Sequence, residues 1–236
     1  MLYKHATFIF KFILGFLMFI TTEYQNIYNA VFQQMMKEFP EQAYESSVPS
    51  YIHNNKLMSW LFWKRIDVAL RLAGDLEGHK VLDIGCGTGV LFRHLHDHRC
   101  TIVGCDPVSR KLAEYTCEKM KIQAQLYDQL ADISGVFGTI FALDVLEHVQ
   151  DLKWFVQKIA LFSKNGTKVI VSGPTENFLY GIGRRLAGFS GEYHRRNIYE
   201  IEKAMQEHFS KVEIVRLFFP FVLFRISSWV PSDRVH

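Results

Sequence analysis

The sequence predicts an α/β fold in which a mostly parallel sheet carries helices on both faces. Between residues 80 and 172, apolar strands, helices and glycine turns alternate at the period of a βαβ unit. Four successive predicted strands end in an acid, and these acids are Asp83, Asp106, Asp128 and Asp144. Because the carboxyl ends of parallel strands meet at one edge of a sheet, and ligands bind at that edge, the four acids predict a ligand site.

Composition limits the classes of protein to which the chain can belong. With 236 residues and 49% hydrophobic content, it is long enough for one α/β domain and an appendage. The net charge of +3 is small and the basic residues are scattered apart from 184–185 and 194–196, so no nucleic acid partner is expected. The four cysteines show no C-x-x-C spacing, which favours a reduced, cytoplasmic interior.

The N-terminal stretch 6–20 is almost entirely apolar. As a helix it would reach about 22 Å against a hydrocarbon core of roughly 30 Å, which is too short to span comfortably. Residues 21–24 offer no small-x-small cleavage site, so export is not expected. We expect a helix that lies in the interface of the inner membrane surface, or packs on the protein or on a second copy. An ordinary buried helix is the alternative, and the oligomeric state stays open.

Two amphipathic helices are predicted next. Apolar residues fall three or four apart over 23–39 and over 56–73, and Pro40 and Gly74 end these helices. The polar stretch 41–55 between them is predicted to be a loop.

The glycine-rich stretch after the first strand is the centre of the predicted site. Glycine tolerates positive φ and lets the backbone approach a bulky ligand, while the following helix aims N–H groups at that ligand. A dinucleotide site needs the pattern G-x-G-x-x-G, and its third glycine is replaced here by Val90. The candidate ligand contacts of this turn are Asp83, Gly85, Cys86, Gly87 and Gly89.

The spacing G-x-G-x-G, with an acid two residues before the first glycine, resembles motif I of the class I S-adenosylmethionine (SAM)-dependent methyltransferases. The resemblance implies SAM as the cofactor. It also implies that the glycine turn passes under the methionine part of SAM and that Asp83 lies near its amino group.

The helix predicted over 90–98 carries histidines at 94, 96 and 98. On a helix, positions 94 and 98 share a face while 96 points away, so a solvated helix face is predicted for them and a metal site is the alternative.

Asp106 ends the second predicted strand, over 101–106, 23 residues after the acid of the first strand. That distance fits one excursion from strand through helix to strand, and an acid there can accept both ribose hydroxyls. Pro107, a second candidate cofactor contact, bends the chain, and Ser109 is predicted to cap the helix 110–120.

A third predicted strand, over 122–127, leads into Asp128 and Gln129. The resemblance implies that Asp128 accepts from the adenine amino group and that Gln129 lies along the ring. A turn-forming role for Asp128 is the alternative.

The fourth strand, which begins near residue 138, runs into Leu143 and Asp144. Its exit reads D-x-x-E-H-V, which is similar to motif II of the same family. This similarity implies that Leu143 and Asp144 contact the cofactor.

The rest of the chain completes the predicted sheet. A helix over 151–163 and a strand over 167–172 follow motif II, and a helix over 198–208 precedes apolar runs over 211–218 and 221–226. These two runs match the antiparallel hairpin that closes the seven-stranded, Rossmann-like sheet of the resembled family.

Methyl transfer from a sulfonium is a direct displacement, for which a protein mainly aligns acceptor, methyl carbon and sulfur. An acceptor hydroxyl must also lose a proton, and a histidine suits this task near neutral pH. His148 is the first candidate base and His194 the second, with Tyr193 as an orienting residue. The last two belong to the long segment 174–196, which the resemblance implies shapes the acceptor pocket. The alternatives are that His148 packs against the glycine-turn helix and that His194 lies on the surface.

A metal site is a second interpretation of the same residues. Asp144, Glu147 and His148 resemble the E-x-x-E-H motif of some metal-dependent O-methyltransferases, and His194 from the long segment would add a second imidazole. The first acid is aspartate here, and most D-x-x-E-H members of the family need no metal, so no metal is predicted.

The sequence therefore predicts a SAM-dependent methyltransferase with an N-terminal helical cap over 1–75 and a catalytic domain over 76–236. Its acceptor is expected to be a small molecule, a lipid-linked compound or a glycan, with methylation at oxygen favoured. A non-catalytic binding protein built on the cofactor fold is one alternative. A dinucleotide-dependent oxidoreductase is another, which the glycine spacing disfavours.

Overall fold

A computed structural model describes residues 19–175, 196–217 and 222–232, and its centre is a seven-stranded sheet. The strands are β1 (Lys80–Ile84), β2 (Thr101–Cys105), β3 (Ala124–Tyr127), β4 (Thr139–Leu143), β5 (Lys168–Pro174), β6 (Phe209–Leu217) and β7 (Phe224–Pro231). Their order across the sheet is β3-β2-β1-β4-β5-β7-β6. Strands β1 to β5 are parallel, whereas β7 runs antiparallel to both β5 and β6. The predicted Rossmann-like sheet with an antiparallel C-terminal hairpin is confirmed.

Helices cover both faces of this sheet. They are α1 (Thr22–Glu38), α2 (Pro40–Glu45), α3 (Val48–Tyr51), α4 (Lys56–Ala73), α5 (Phe92–Asp97), α6 (Arg110–Met120), α7 (Leu152–Leu161) and α8 (Ile198–Met205). Successive strand residues point to opposite faces, so Val81 and Leu82 enter different hydrophobic clusters. Helices α1 to α6 contribute to the cluster around Val81, and α7 and α8 contribute to the one around Leu82.

Helix α1 is anchored on the segment that follows β1. The hydroxyl of Tyr24 donates to the carbonyl of Val90 at 2.7 Å, and that of Tyr28 donates to the carbonyl of Gly89 at 2.8 Å. Trp63 of α4 is buried against both tyrosine rings. The N-terminal helices therefore share one core with the sheet and bear directly on the glycine turn.

The prediction of a loop over 41–55 is wrong, because this stretch contains α2 and α3. Pro40 is the first residue of α2, where the missing N–H of proline would have no helical partner in any case. Val48 and Tyr51 of α3 are buried, so tertiary packing stabilises a helix of only four residues.

The C-terminal elements differ from their predicted bounds. Helix α8 ends at Met205 instead of 208, and β7 extends to Pro231 although the second apolar run stops at 226. Ser227 and Ser228 follow that run and are buried, because β7 lies between β5 and β6 and pairs with both. Because these residues are polar, the apolar pattern of the sequence does not predict the C-terminal part of β7.

The histidines at 94, 96 and 98 are predicted to lie on a solvated helix face, and this is wrong for His94. Its side chain is buried, and its ring stacks on that of His98 with the centroids 4.2 Å apart. Burial, together with the charge of His98, lowers the pKa of His94 to about 4. His94 is therefore a neutral packing residue.

None of the helices within the described residues combines the length and the apolar content that a membrane-spanning segment needs. Most of the apolar stretch 6–20 lies outside those residues. Its last two members are described, and their N–H groups donate to Oδ1 of Asp67, from Phe19 at 2.8 Å and from Ile20 at 3.4 Å. Membrane contact through the remainder of the stretch stays a prediction.

Candidate functional site

A cavity of about 270 Å³ lies at the carboxyl ends of β1 and β4. The chain proceeds from β1 to β2 on one side, while β4 flanks β1 on the other, so the strand order reverses here. Ligands of open α/β sheets bind at this reversal. The predicted site residues that line the cavity are Asp83, Gly85, Cys86, Gly87, Leu143, Asp144 and His148.

The glycine turn forms the floor of the cavity with a backbone that only glycine adopts easily. Gly85, Gly87 and Gly89 have φ angles of +69°, +54° and +72°. A Cβ atom on Gly85 would lie 2.6 Å from Cγ2 of Val145, so no larger residue fits there. A Cβ on Gly87 would meet no atom of the described residues within 4 Å, so the described part of the chain leaves the backbone at Gly87 open to a ligand.

Asp106 ties this turn to the end of β2. Its Oδ2 accepts from the N–H of Gly87 at 2.9 Å, and its Oδ1 accepts from Val108 at 2.9 Å and Ser109 at 2.7 Å. Ser109 occupies the N-cap position of α6, but its side chain makes no capping hydrogen bond to a described residue, so the predicted cap is wrong. Each carboxylate oxygen can accept more than one hydrogen bond, so Asp106 retains acceptor capacity for a ligand.

Asp83 is a buried acid at the end of β1. It is only 3% exposed, and burial, with the charge of Asp106 as a second cause, raises its pKa to about 8. Such a carboxyl favours a nearby cation, because a positive charge would offset the cost of ionising it. The cavity therefore offers a counter-charge for an amino group.

Two further residues of the turn line the cavity. Burial raises the pKa of the Cys86 thiol, which makes it an apolar filler and not a nucleophile. Thr88 is 1% exposed, and its Oγ1 has no hydrogen-bond partner among the described residues. Buried polar atoms are almost always hydrogen-bonded, so a ligand in the cavity is the natural partner for this hydroxyl.

Asp144 occupies a strained position at the end of β4. Its φ is +54°, in the left-handed region that non-glycine residues rarely adopt. Its Oδ1 accepts from the hydroxyl of Ser172 at 2.9 Å, and its Oδ2 pairs with the guanidinium of Arg65 from α4. Strain at such a position persists only where the surroundings hold it, and these two contacts do so.

The other side of the cavity combines aromatic residues with a buried acid and an exposed base. Tyr51, Phe62 and Phe224 are the aromatic members. Glu147 is only 1% exposed, whereas His148 is exposed and its backbone N–H donates to the carbonyl of Val145 at 3.0 Å.

The predicted contacts at β2 and β3 lie outside the cavity. Asp128 and Gln129 are exposed, as is Pro107. The carboxylate of Asp128 accepts from Nη1 of Arg110 at 2.7 Å. A ligand that reached Asp128 would share this carboxylate with Arg110.

Two predicted residues, Tyr193 and His194, lie outside the described residues, as does most of the segment 174–196. Within the described part of the chain, no three His, Cys, Asp or Glu side chains are arranged to hold a metal ion. The metal interpretation depends on His194 and is therefore untested.

Sequence reasoning missed Arg65 and Tyr51 as parts of the site. Arg65 stands in a helix that the apolar pattern assigns to packing, and Tyr51 stands in the stretch predicted to be a loop. The only available signal was a pair of basic residues, Lys64 and Arg65, beside an apolar stripe, and this pattern does not show which cavity a side chain enters.

A seven-stranded sheet of this order, with a glycine turn and a buried acid at the reversal of strand order, defines the class I SAM-dependent methyltransferases. The chain matches the model of a family described as "Methyltransferase domain" over residues 51–214. It belongs to this methyltransferase family, and SAM is its cofactor.

Curated relatives share part of this length. Similarity reaches 32% identity over 120 residues with the ubiquinone biosynthesis O-methyltransferase of Vibrio parahaemolyticus, which is 48% of this chain and 51% of that protein. The protein of the same name from Rhizobium leguminosarum is 30% identical over 106 residues, which is 42% of each chain. The chain thus spans about half the length of the curated relatives it matches.

Solved structures show the same fold. Magnesium protoporphyrin IX methyltransferase from Synechocystis PCC 6803, with bound S-adenosylhomocysteine (SAH), has a TM-score of 0.64 and 20% identity over 86% of this chain and all of that one. The N-methyltransferase NodS from Bradyrhizobium japonicum has a TM-score of 0.61 and 16% identity over 86% and 99% of the two chains. At these identities the likeness concerns the fold alone.

Proposed function

We propose that this chain is an O-methyltransferase that transfers the methyl group of SAM to a hydroxyl of a small molecule. The observation that carries the proposal is one cavity that joins the glycine turn and buried Asp83 to the aromatic residues, Glu147 and His148. Cofactor-binding and acceptor-binding chemistry thus meet in a single space.

Three features of the cavity fit the cofactor. The open backbone at Gly87 leaves room for a bulky ligand, Asp83 offers a counter-charge to an amino group, and Thr88 Oγ1 lacks a partner within the described part of the chain. Asp106 would hold the ribose hydroxyls, with Asp128 and Gln129 beside the adenine. When bound, SAM supplies a methyl group already activated by a positive sulfur.

The contribution of the protein is then alignment and proton removal. The aromatic residues orient the acceptor and exclude water from the cavity, which keeps the reacting groups in line. A ring nitrogen of His148 takes the proton of the acceptor hydroxyl. His194, with Tyr193 as an orienting residue, is the second candidate for this role.

Oxygen as the methylated atom is supported by the curated relatives, which are named O-methyltransferases. A lipid-linked or glycan acceptor, together with contact of residues 6–20 with the inner membrane surface, is a finer form of the proposal. Removal of residues 1–18 leaves the Asp67 contacts of Phe19 and Ile20 in place and should release the protein from vesicles in a flotation assay. Unchanged flotation would exclude this membrane contact.

The cofactor assignment is tested by the Asp106→Ala variant. It should bind SAH roughly 10- to 100-fold more weakly by isothermal titration calorimetry, because the ribose loses a charged acceptor and the glycine turn loses the carboxylate on Gly87. Asp132→Ala is the matched control, since it removes an exposed acid beyond β3. Equal affinity of the two variants would contradict the placement of the ribose.

The role of the proposed base is tested by His148→Gln. This variant should transfer methyl groups from labelled SAM to phenolic acceptors about 10²- to 10⁴-fold more slowly, because the hydroxyl keeps its proton. Its affinity for SAH should stay unchanged. The control is His96→Gln, which replaces a histidine whose side chain is 50% exposed on α5. Full activity of His148→Gln would show that another residue acts as the base.

A further inference from the structure

The guanidinium of Arg65 is a buried cation at the cavity. Arg65 belongs to α4 and is 7% exposed. Among the described residues that line the cavity, it is the only lysine or arginine. The acids Asp83, Asp144 and Glu147 come from strand ends and their exits, so Arg65 supplies the opposite charge from the N-terminal helices.

Aromatic rings surround this cation. The guanidinium carbon lies 4.2 Å from the ring centroid of Phe62 and 4.8 Å from that of Phe224. Tyr51, whose ring meets Phe62 edge-on at 5.7 Å, forms a hydrogen bond with Arg65. These contacts hold the guanidinium in one orientation beside flat apolar surfaces.

The pairing of Arg65 with Asp144 does not by itself explain the burial of the arginine. Desolvation of a buried ion pair offsets most of its attraction, and apolar residues of similar volume often stabilise a fold as well. Asp144 is also held by Ser172, so its position does not depend on Arg65 alone. A guanidinium has five N–H donors in a planar fork, and its planar edges can bind more than one carboxylate or oxyanion.

We propose that Arg65 selects acceptors in which a planar aromatic body carries an anionic oxygen, bound by the guanidinium next to Asp144. The proposal rests on the proposed methyltransferase function, because the aromatic body is the compound that receives the methyl group. The rings of Phe62 and Phe224 suit a planar body, and the guanidinium suits a carboxylate or an ionised ring hydroxyl. Because Asp83 and Glu147 also face the cavity, Arg65 is the point at which an anion is attracted.

Binding to the SAH-loaded protein tests this proposal by calorimetry with three catechols. Protocatechuate carries a carboxylate, nitrocatechol has a ring hydroxyl that is ionised at neutral pH, and protocatechuamide carries neither. We expect at least one of the two anions to bind about tenfold or more tightly than the amide. Tighter binding of protocatechuate would show that Arg65 binds a carboxylate substituent of the acceptor. Tighter binding of nitrocatechol would show that it binds an ionised ring hydroxyl.

The preference should depend on Arg65. The variant Arg65→Met should bind the anions no better than the amide, and Arg65→Lys should keep a reduced preference, because lysine retains the charge without the planar fork. Lys56→Met removes the same charge from an exposed position on α4 and should bind like the wild type. If Arg65→Met does not bind SAH, and so is not correctly folded, the comparison of Arg65→Lys with Lys56→Met decides whether the preference for anions depends on Arg65.

Three results would overturn the proposal. In the first two, the wild type binds the amide and the anions equally, or binds neither anion. The third result is the full preference for anions in Arg65→Met, or in Arg65→Lys where Arg65→Met is unfolded. Failure of the wild type to bind SAH at all would instead contradict the proposed function. The two failures are therefore distinguishable in the same titration series.

Discussion

The Gly85→Ala variant is expected to lose roughly 2–4 kcal/mol of unfolding free energy and to bind no SAH. The backbone at Gly85 has a φ of +69°, which a residue with a Cβ adopts only at a cost. The added Cβ would also lie 2.6 and 2.7 Å from the Cγ2 and Cβ atoms of Val145. Val145 follows the strained Asp144, so the turn and the exit of β4 would have to move apart. Thermal unfolding and calorimetry with SAH measure the two effects.

Two further glycines separate the causes. Gly78→Ala and Gly87→Ala both place a Cβ at positive φ, with no atom of a described residue within 4 Å of it. Each should cost only about 1 kcal/mol of stability. Gly78 does not line the cavity, so its variant should bind SAH normally. Gly87→Ala should stay folded and lose affinity for SAH, because its methyl group would enter the space proposed for the cofactor. Normal SAH binding by Gly87→Ala would place the cofactor elsewhere.

The Asp83→Asn variant is expected to make the ligand-free protein more stable near pH 8 by several kcal/mol and to weaken SAH binding about 10- to 100-fold. Burial raises the pKa of Asp83 from 3.8 to about 8, so the folded protein holds a proton that the unfolded chain releases. The unfolding free energy of the wild type should therefore fall as pH rises from about 4 to 8, and level off above that. Asparagine does not titrate and removes this contribution.

Proton release provides a second measurement at Asp83. An amino group beside the carboxylate favours its charged form, so SAH binding should lower the pKa of Asp83 and release a proton near neutral pH. Calorimetry in two buffers with different ionisation enthalpies measures this release. Asp83→Asn should release none, and Asp132→Asn, at an exposed position, should behave like the wild type. If the wild type released no proton on binding SAH, the proposed contact between Asp83 and the amino group of the cofactor would be contradicted.

Prediction from sequence succeeded where the physical cause is local. The alternation of strands and helices and the glycine spacing depend on neighbouring residues, so they predict the parallel sheet and the turn at Gly85, Gly87 and Gly89. It failed where the cause is packing between distant parts of the chain. Polar Ser227 and Ser228 hide the continuation of β7, and burial makes His94 a packing residue.

The candidate site divides in the same way. The acids at strand ends follow from the βαβ period, and the structure brings Asp83 and Asp144 to one cavity. Asp106 and Asp128 do not line that cavity, and each already has a partner, because Asp106 accepts from the N–H of Gly87 and Asp128 pairs with Arg110. The spacing of acids cannot show which of them a neighbouring cation or N–H group already occupies.

The sequence by itself determined the class of this protein, because period, glycine spacing and the D-x-x-E-H exit are properties of short segments. Only the tertiary structure decided what surrounds the reacting groups. It set Arg65 against Asp144, Phe62 and Phe224, and it buried Asp83 deeply enough to raise its pKa. Burial and charge pairing depend on residues far apart in the chain, and these interactions are the basis of the proposed choice of acceptor.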